Sequence, residues 1–241
     1  MKQKIGKLPV WAALLLICLV SASCALPKQK AAPQWTQSSL ANLPTETSQV
    51  LLVTNENAAG TRGRMHVLEK SGNLWQEVSP PLPVLIGRKG FAPPGEKKEG
   101  DGRTPSGVFP LKRTFGYAPQ VDTRMPYRQA GVEDVWVDDD AAPDYNRWVR
   151  RGETAAASYE LMKREDDCYK VGIIIEYNTD PVVPGAGSAI FIHVRRGEDI
   201  PTAGCVALAE KDLLKLLGWL DPAAEPLVVL GSMGALPHIT P

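Results

Sequence analysis

Residues 190–208 read IFIHVRRGEDIPTAGCVAL. An apolar run of β-strand type delivers His193, a charged loop follows, and Thr202-Ala203-Gly204-Cys205 brings a cysteine twelve residues after the histidine. A free thiol, with a pKa of about 8.5, is only slightly ionised near neutrality and needs a base to act as a nucleophile. A histidine on a neighbouring strand supplies that base. Gly204, lacking a Cβ, lets backbone N–H groups approach a developing oxyanion. For an arbitrary pair, an exposed histidine beside a buried structural cysteine is the commoner arrangement. The surrounding residues decide between the two.

Phe191-Ile192-His193 followed by Thr202-Ala203-Gly204-Cys205-Val206 resembles the active-site signature of the L,D-transpeptidases, the YkuD-like family: a histidine, a spacer, then Ser/Thr-x-Gly-Cys. Residues 87–111, GRKGFAPPGEKKEGDGRTPSGVFPL, are similar to a segment that one branch of the family carries upstream. Two positions depart from the pattern. Ala203 stands where many members have a second histidine, and Ala207 where they have an arginine.

The resemblance implies a mainly β fold, a YkuD-like curved mixed sheet or sandwich with a short helix packed after the cysteine. It implies acyl transfer on peptidoglycan stem peptides without cofactor or metal. Cys205 is then the nucleophile and His193 its general base. Backbone N–H groups at Gly204 and Cys205 form the oxyanion hole, and Thr202 orients the site. The thioester formed on a tetrapeptide stem passes to an amine, giving a 3→3 cross-link, or to water. The family's cysteine chemistry is sensitive to carbapenems. Arg195 or Arg196 takes the place of the missing arginine, because a guanidinium binds carboxylate bidentately. Two other classes stay open: a non-catalytic envelope lipoprotein that binds peptidoglycan, and a redox domain using Cys168 and Cys205, although no C-x-x-C pair supports the latter.

Lys+Arg and Asp+Glu balance at 27 each in 241 residues, so no basic field invites nucleic acid. The chain is expected to act as a monomer. Lys2, Lys4 and Lys7 precede an apolar stretch, residues 10–20, too short for a comfortable membrane span, and Ser21-Ala22-Ser23-Cys24 resembles a lipoprotein box. Residues 1–24 are thus expected to be a signal peptide, with lipidation at Cys24 tethering the protein in the periplasm, at the outer membrane. Residues 25–47, polar and punctuated by proline, read as a flexible linker, and residues 48–241 as the catalytic domain. Cys18 leaves with the signal, and Cys168 is expected to stay free, since a permanent bridge to Cys205 would abolish activity.

Short β-type runs open the domain as a meander: QVLLVTN (49–55), GRMHVLEK (63–70), NLWQEVS (73–79) and LPVLIG (82–87). The glycine-rich loop that follows mimics a phosphate loop at Gly90 and Gly95, but Glu96 occupies the lysine position. Thr104-Pro105-Ser106-Gly107-Val108-Phe109 resembles the family's TPxGxF element, which leads a strand past the cleft. Residues 138–140 are three adjacent aspartates without calcium-loop spacing. Residues 158–165 and 170–178 read as a hairpin-like pair, residues 209–220 as an amphipathic helix whose dipole favours a thiolate, and residues 226–231 as the strand that closes the sheet.

Overall fold

A run such as Val171-Gly172-Ile173-Ile174-Ile175 or Val50-Leu51-Leu52-Val53 offers apolar side chains to both faces of a sheet, so it is stable only where both faces are covered. Both runs are strands buried at every position. The computed structural model describes Met1 and residues 30–236. The elements run β1 (Lys30–Ala31), α1 (Gln34–Ser39), β2 (Gln49–Asn55), β3 (Arg62–Ser71), β4 (Leu74–Glu77) and β5 (Leu82–Leu85). After the long loop come β6 (Gly107–Gly116), β7 (Tyr127–Gln129), β8 (Asp134–Val137), β9 (Trp148–Arg150) and β10 (Tyr159–Leu161). The chain continues through β11 (Val171–Ile175), β12 (Phe191–Val194), β13 (Val206–Leu208), α2 (Glu210–Trp219) and β14 (Leu227–Ser232). The fold is mainly β, with one large mixed sheet and α2 shortly after residue 205, as the sequence predicts.

The sheet runs β1-β4-β3-β2-β14-β6-β11-β12-β13-β5, with β7 beside β6. β5 also pairs with the first half of β3, from Arg62↔Leu85 to Met65↔Leu82, so the sheet curls until its path closes. β2–β14, β12–β13 and β6–β7 are parallel pairs. The inside of the curl holds the main core, where Leu213, Leu216, Leu217 and Leu220 of α2 meet Ile173, Ile192 and Val206. Leu214 points outward and is 45% exposed.

Three sequence expectations change. Residues 159–161 do not pair with β11: β10 pairs with β8 in a separate sheet, β10-β8-β9, while β11 lies between β6 and β12. A run apolar on both faces belongs in the middle of the large sheet, where both faces are covered, and the half-polar Tyr159-Glu160-Leu161 suits a small cover sheet. β14 does not close the sheet; it lies between β2 and β6, and β5 makes the closure. Residues 30–47, within the expected flexible linker, are folded. β1 pairs with β4, and Ala32 and Leu40 pack with Leu52, Leu68 and Trp75 over the outer face of the sheet. The apolar residues there are too sparse to show periodicity, yet they cover a sheet face that otherwise meets water.

Candidate active site

β12 and β13 run parallel in the register Ile192↔Val206 and His193↔Ala207. Alternate side chains of a strand take opposite faces. Ile192 and Val206 therefore enter the main core, and Phe191, His193, Cys205 and Ala207 share the outer face. That face carries a cavity of about 310 Å³, lined by His193, Thr202, Ala203, Cys205 and Ala207 together with Glu160, Arg164, Cys168, Tyr169 and Arg196. Phe115, Trp136, Tyr169 and Phe191 meet edge to face beneath it, a rigid aromatic floor.

Cys205 is 7% exposed. Its thiol donates to the Ala189 carbonyl at 3.2 Å, and the Phe191 N–H donates to the sulfur at 3.3 Å. Burial, reinforced by the Glu160 carboxylate, pushes the thiol up to about 12. His193 Nδ1 lies 2.8 Å from the Val194 carbonyl. A carbonyl only accepts, so Nδ1 carries the proton and Nε2 keeps the lone pair of a base. Burial pulls the imidazole down to about 4, against the support of that hydrogen bond. Both groups rest uncharged. The Tyr169 ring stands edge-on to His193 at 5.2 Å, and its hydroxyl donates to Glu160, whose carboxyl burial raises above the usual range.

The backbone at Cys205 is fastened from two sides. Thr202 Oγ1 donates to the Cys205 carbonyl at 2.6 Å and accepts the Gly204 N–H at 3.1 Å. Thr104, buried in the TPSG segment, reaches the same carbonyl at 3.4 Å while accepting the Gly87 N–H at 2.9 Å. The Arg88 N–H donates to the Thr202 carbonyl and the Thr202 N–H to that of Ile86, locking the glycine-rich loop against the cysteine turn. A Cβ at Gly204 would sit 3.0 Å from the Arg103 carbonyl, which is why glycine stands there. At Gly90, with φ +72, a Cβ would lie 1.9 Å from the Ala58 carbonyl. Thr202 thus has an orienting geometry. The Gly204 amide is already engaged by Thr202, so the expected two-amide oxyanion hole is not formed at Gly204. Among the described residues no turn or side-chain bond occupies the Cys205 amide.

The two candidate arginines separate. Arg196 lines the cavity and pairs with Asp166, whereas Arg195 turns to the opposite side of the loop, pairs with Glu198 and lines a different cavity. The carboxylate-binding expectation therefore fails for Arg195: successive residues of an extended segment point apart. Arg164, which the sequence reading missed, joins Arg196 in the cavity wall. It holds Asp166 through two hydrogen bonds of 2.9 and 2.8 Å, keeping that carboxyl well below the usual range. Glu160 and Tyr169 were missed as well. Glu160 comes from β10 of the cover sheet and Tyr169 from the turn before β11, and nothing in either stretch of sequence marks it. Cys168 lines the cavity as a free, buried thiol. The expected help from a helix dipole is not there. α2 begins beyond the far end of β13, about four residues or ~13 Å of strand from Cys205, and the dipole fades within a turn. Cys24 lies outside the described residues.

The model of the YkuD family, described as the L,D-transpeptidase catalytic domain, matches residues 58–229. Among curated proteins and among solved structures, none matches the chain. The matched span covers most of the chain and includes the glycine-rich loop, His193, Thr202 and Cys205, which the fold gathers around one cavity. On that match the chain belongs to the YkuD family of L,D-transpeptidase catalytic domains.

Proposed function

We propose that this protein is a peptidoglycan L,D-transpeptidase that works through a thioester on Cys205. The observation that carries the reading is the Nδ1–H bond from His193 to the Val194 carbonyl, which leaves Nε2 as a base in the cavity that holds the thiol. Rotation of the Cys205 side chain off the Ala189 carbonyl brings the thiol to that base. Nε2 takes the thiol proton as sulfur attacks the carbonyl between the L-centre of meso-diaminopimelate and the terminal D-alanine. The Cys205 N–H supports the oxyanion. Collapse breaks the C–N bond, and the imidazolium returns its proton to the departing D-alanine amine. The side-chain amine of a second stem, or water, then attacks the thioester, gives its proton to His193 and releases the thiol. Arg164 and Arg196 offer guanidinium groups to the substrate's carboxylates.

The two uncharged groups suit this cycle. A neutral imidazole takes a proton where a protonated one cannot, and a thiol kept neutral until the substrate excludes water is shielded from other electrophiles. The protein is exported, lipidated at Cys24 and held at the outer membrane in the same reading. Replacing Cys24 by alanine should then move it from the membrane to the soluble periplasmic fraction.

The test is an intact-mass spectrum of the full chain in detergent after incubation with a disaccharide-tetrapeptide, beside a Cys205→Ala control. An acyl adduct on the unsubstituted chain alone supports the reading, and the released products show whether amine or water resolves it. No adduct from this donor or from a carbapenem, on a folded chain with a reactive Cys205, overturns it in favour of a non-catalytic wall-binding lipoprotein.

A further inference from the structure

A second, larger cavity of about 690 Å³ lies on the outer face of β2, β3 and β5, away from Cys205. Strand register builds it. Thr54 pairs with Arg64, and Arg64 with Pro83, so these three form one row across the sheet. Leu52 pairs with His66, and Arg62 with Leu85, in the flanking rows. Trp35 of the folded N-terminal segment and Met233 close one side, and Arg195 and Glu198 another.

One side chain in its wall is more than nine-tenths buried yet lacks a partner. Thr54, 5% exposed and in the same row as Arg64, has no partner for Oγ1. A buried polar atom left unpaired is costly, and such atoms in a cavity wall mark where a ligand's polar groups belong. Charge narrows the ligand further. Arg62 is paired with Asp199 and Arg195 with Glu198, whereas Arg64 makes no ion pair among the described residues. Glu56, also in the wall, makes no ion pair among the described residues either, and one open guanidinium with one open carboxylate suits a peptide bearing both a carboxylate and an amine better than a polyphosphate. Pro83 and the Trp35 ring supply apolar surface for short side chains, and the open shape admits an extended backbone.

We infer that this groove is a second binding site for a carboxylate-bearing peptide with small side chains. Resting on the function proposed above, we identify that peptide as a neighbouring stem peptide of the same wall. Its carboxylate meets Arg64, and a backbone amide pairs with Thr54. The loop between β12 and β13 joins the two sites: Arg195 and Glu198 line the groove, while Arg196, Ile200 and Pro201 line the catalytic cavity. A peptide in the groove thus holds the loop that walls the reaction, and the enzyme grips the wall at two points.

The experiment is a nuclear magnetic resonance titration of the full chain, carrying Cys205→Ala to prevent turnover, with free tetrapeptide. Expected are saturable shifts of the Gly60 and Gly63 amides alongside those of the catalytic cavity. Adding Arg64→Ala should raise Kd for the glycine set about tenfold, and amidating the peptide's carboxylates should remove that set. Arg64 is exposed, so its replacement leaves the fold intact, which the spectrum itself reports. The inference is overturned if Gly60 and Gly63 fail to reach saturation, if they respond equally in the Arg64→Ala chain, or if acetate at the same concentration reproduces the shifts. Loss of the catalytic set with the glycine set kept would count against the transpeptidase reading and leave a peptide-binding groove standing.

Discussion

At Cys205 burial pushes the thiol up to about 12, and at His193 it pulls the imidazole down to about 4. Such a pair does not exchange its proton spontaneously near neutrality, so the site holds no standing thiolate. Alkylation of Cys205 by iodoacetamide is therefore expected to be slow at pH 7 and to climb through the alkaline range without a neutral plateau. A plateau in the rate-against-pH curve would show an ion pair. The acid limb of kcat/KM should likewise fall below the ordinary imidazole range, toward about 4, because His193 stays unprotonated and competent as pH drops. Thr202 makes a separate prediction. Thr202→Val keeps the shape but removes the oxygen shared by the Cys205 carbonyl and the Gly204 N–H, so a loss of about 1–2 kcal/mol in urea unfolding is expected, with slower acylation. Thr202→Ser should restore both. The signature His193, Thr202, Gly204 and Cys205 was legible because its residues are close in sequence. The Gly204 amide's engagement was not, since it depends on the rotamer of Thr202.

β2 was legible to the residue, because a run apolar on both faces has few places to sit. The partner of β11 was not. Two consecutive runs suggest a hairpin, but the intervening residues bury Cys168 and Tyr169 against Phe191, which turns β10 away into the cover sheet. That detour is what puts Glu160 over the site. The N-terminal segment was misjudged for a related reason: Trp35, Leu40 and Leu43 lie scattered among polar residues, and their role is evident only against the sheet face they cover. Leu40→Ala is expected to cost about 2 kcal/mol or more, read as a lower urea midpoint with unchanged slope. Cutting the chain at residue 48 should destabilise it further by uncovering Leu52, Leu68 and Trp75. An unchanged midpoint after Leu40→Ala would return this segment to the role of a tether.

Stability of the whole molecule should depend on pH in a direction fixed by its buried groups. His193 has its folded pKa depressed, so between about 6.5 and about 4 the unfolded chain binds the extra proton. Its contribution is complete above that window and is lost as pH falls through it, by roughly 3 kcal/mol at most. Glu160, raised by burial, acts in the opposite sense, and Asp166, held down by Arg164, adds a loss below the ordinary carboxylate range. Subtracting the Tm–pH curve of His193→Gln from that of the unsubstituted chain should isolate the first of these as a slope confined to the acid side. The closed strand circuit reaches further still. β13 is bordered by β12 and by the distant β5, and β14, near the end of the described chain, must enter between β2 and β6. Pairings so remote in sequence form slowly. Until they do, the thiols of Cys168 and Cys205 have no cover, and each has the reactivity of an ordinary cysteine. The shielding of Cys205 that burial provides is thus expected only once the strand circuit has closed. Refolding in oxidised glutathione should lose active protein in proportion to the delay before closure, while the finished molecule in the same buffer keeps its thiol.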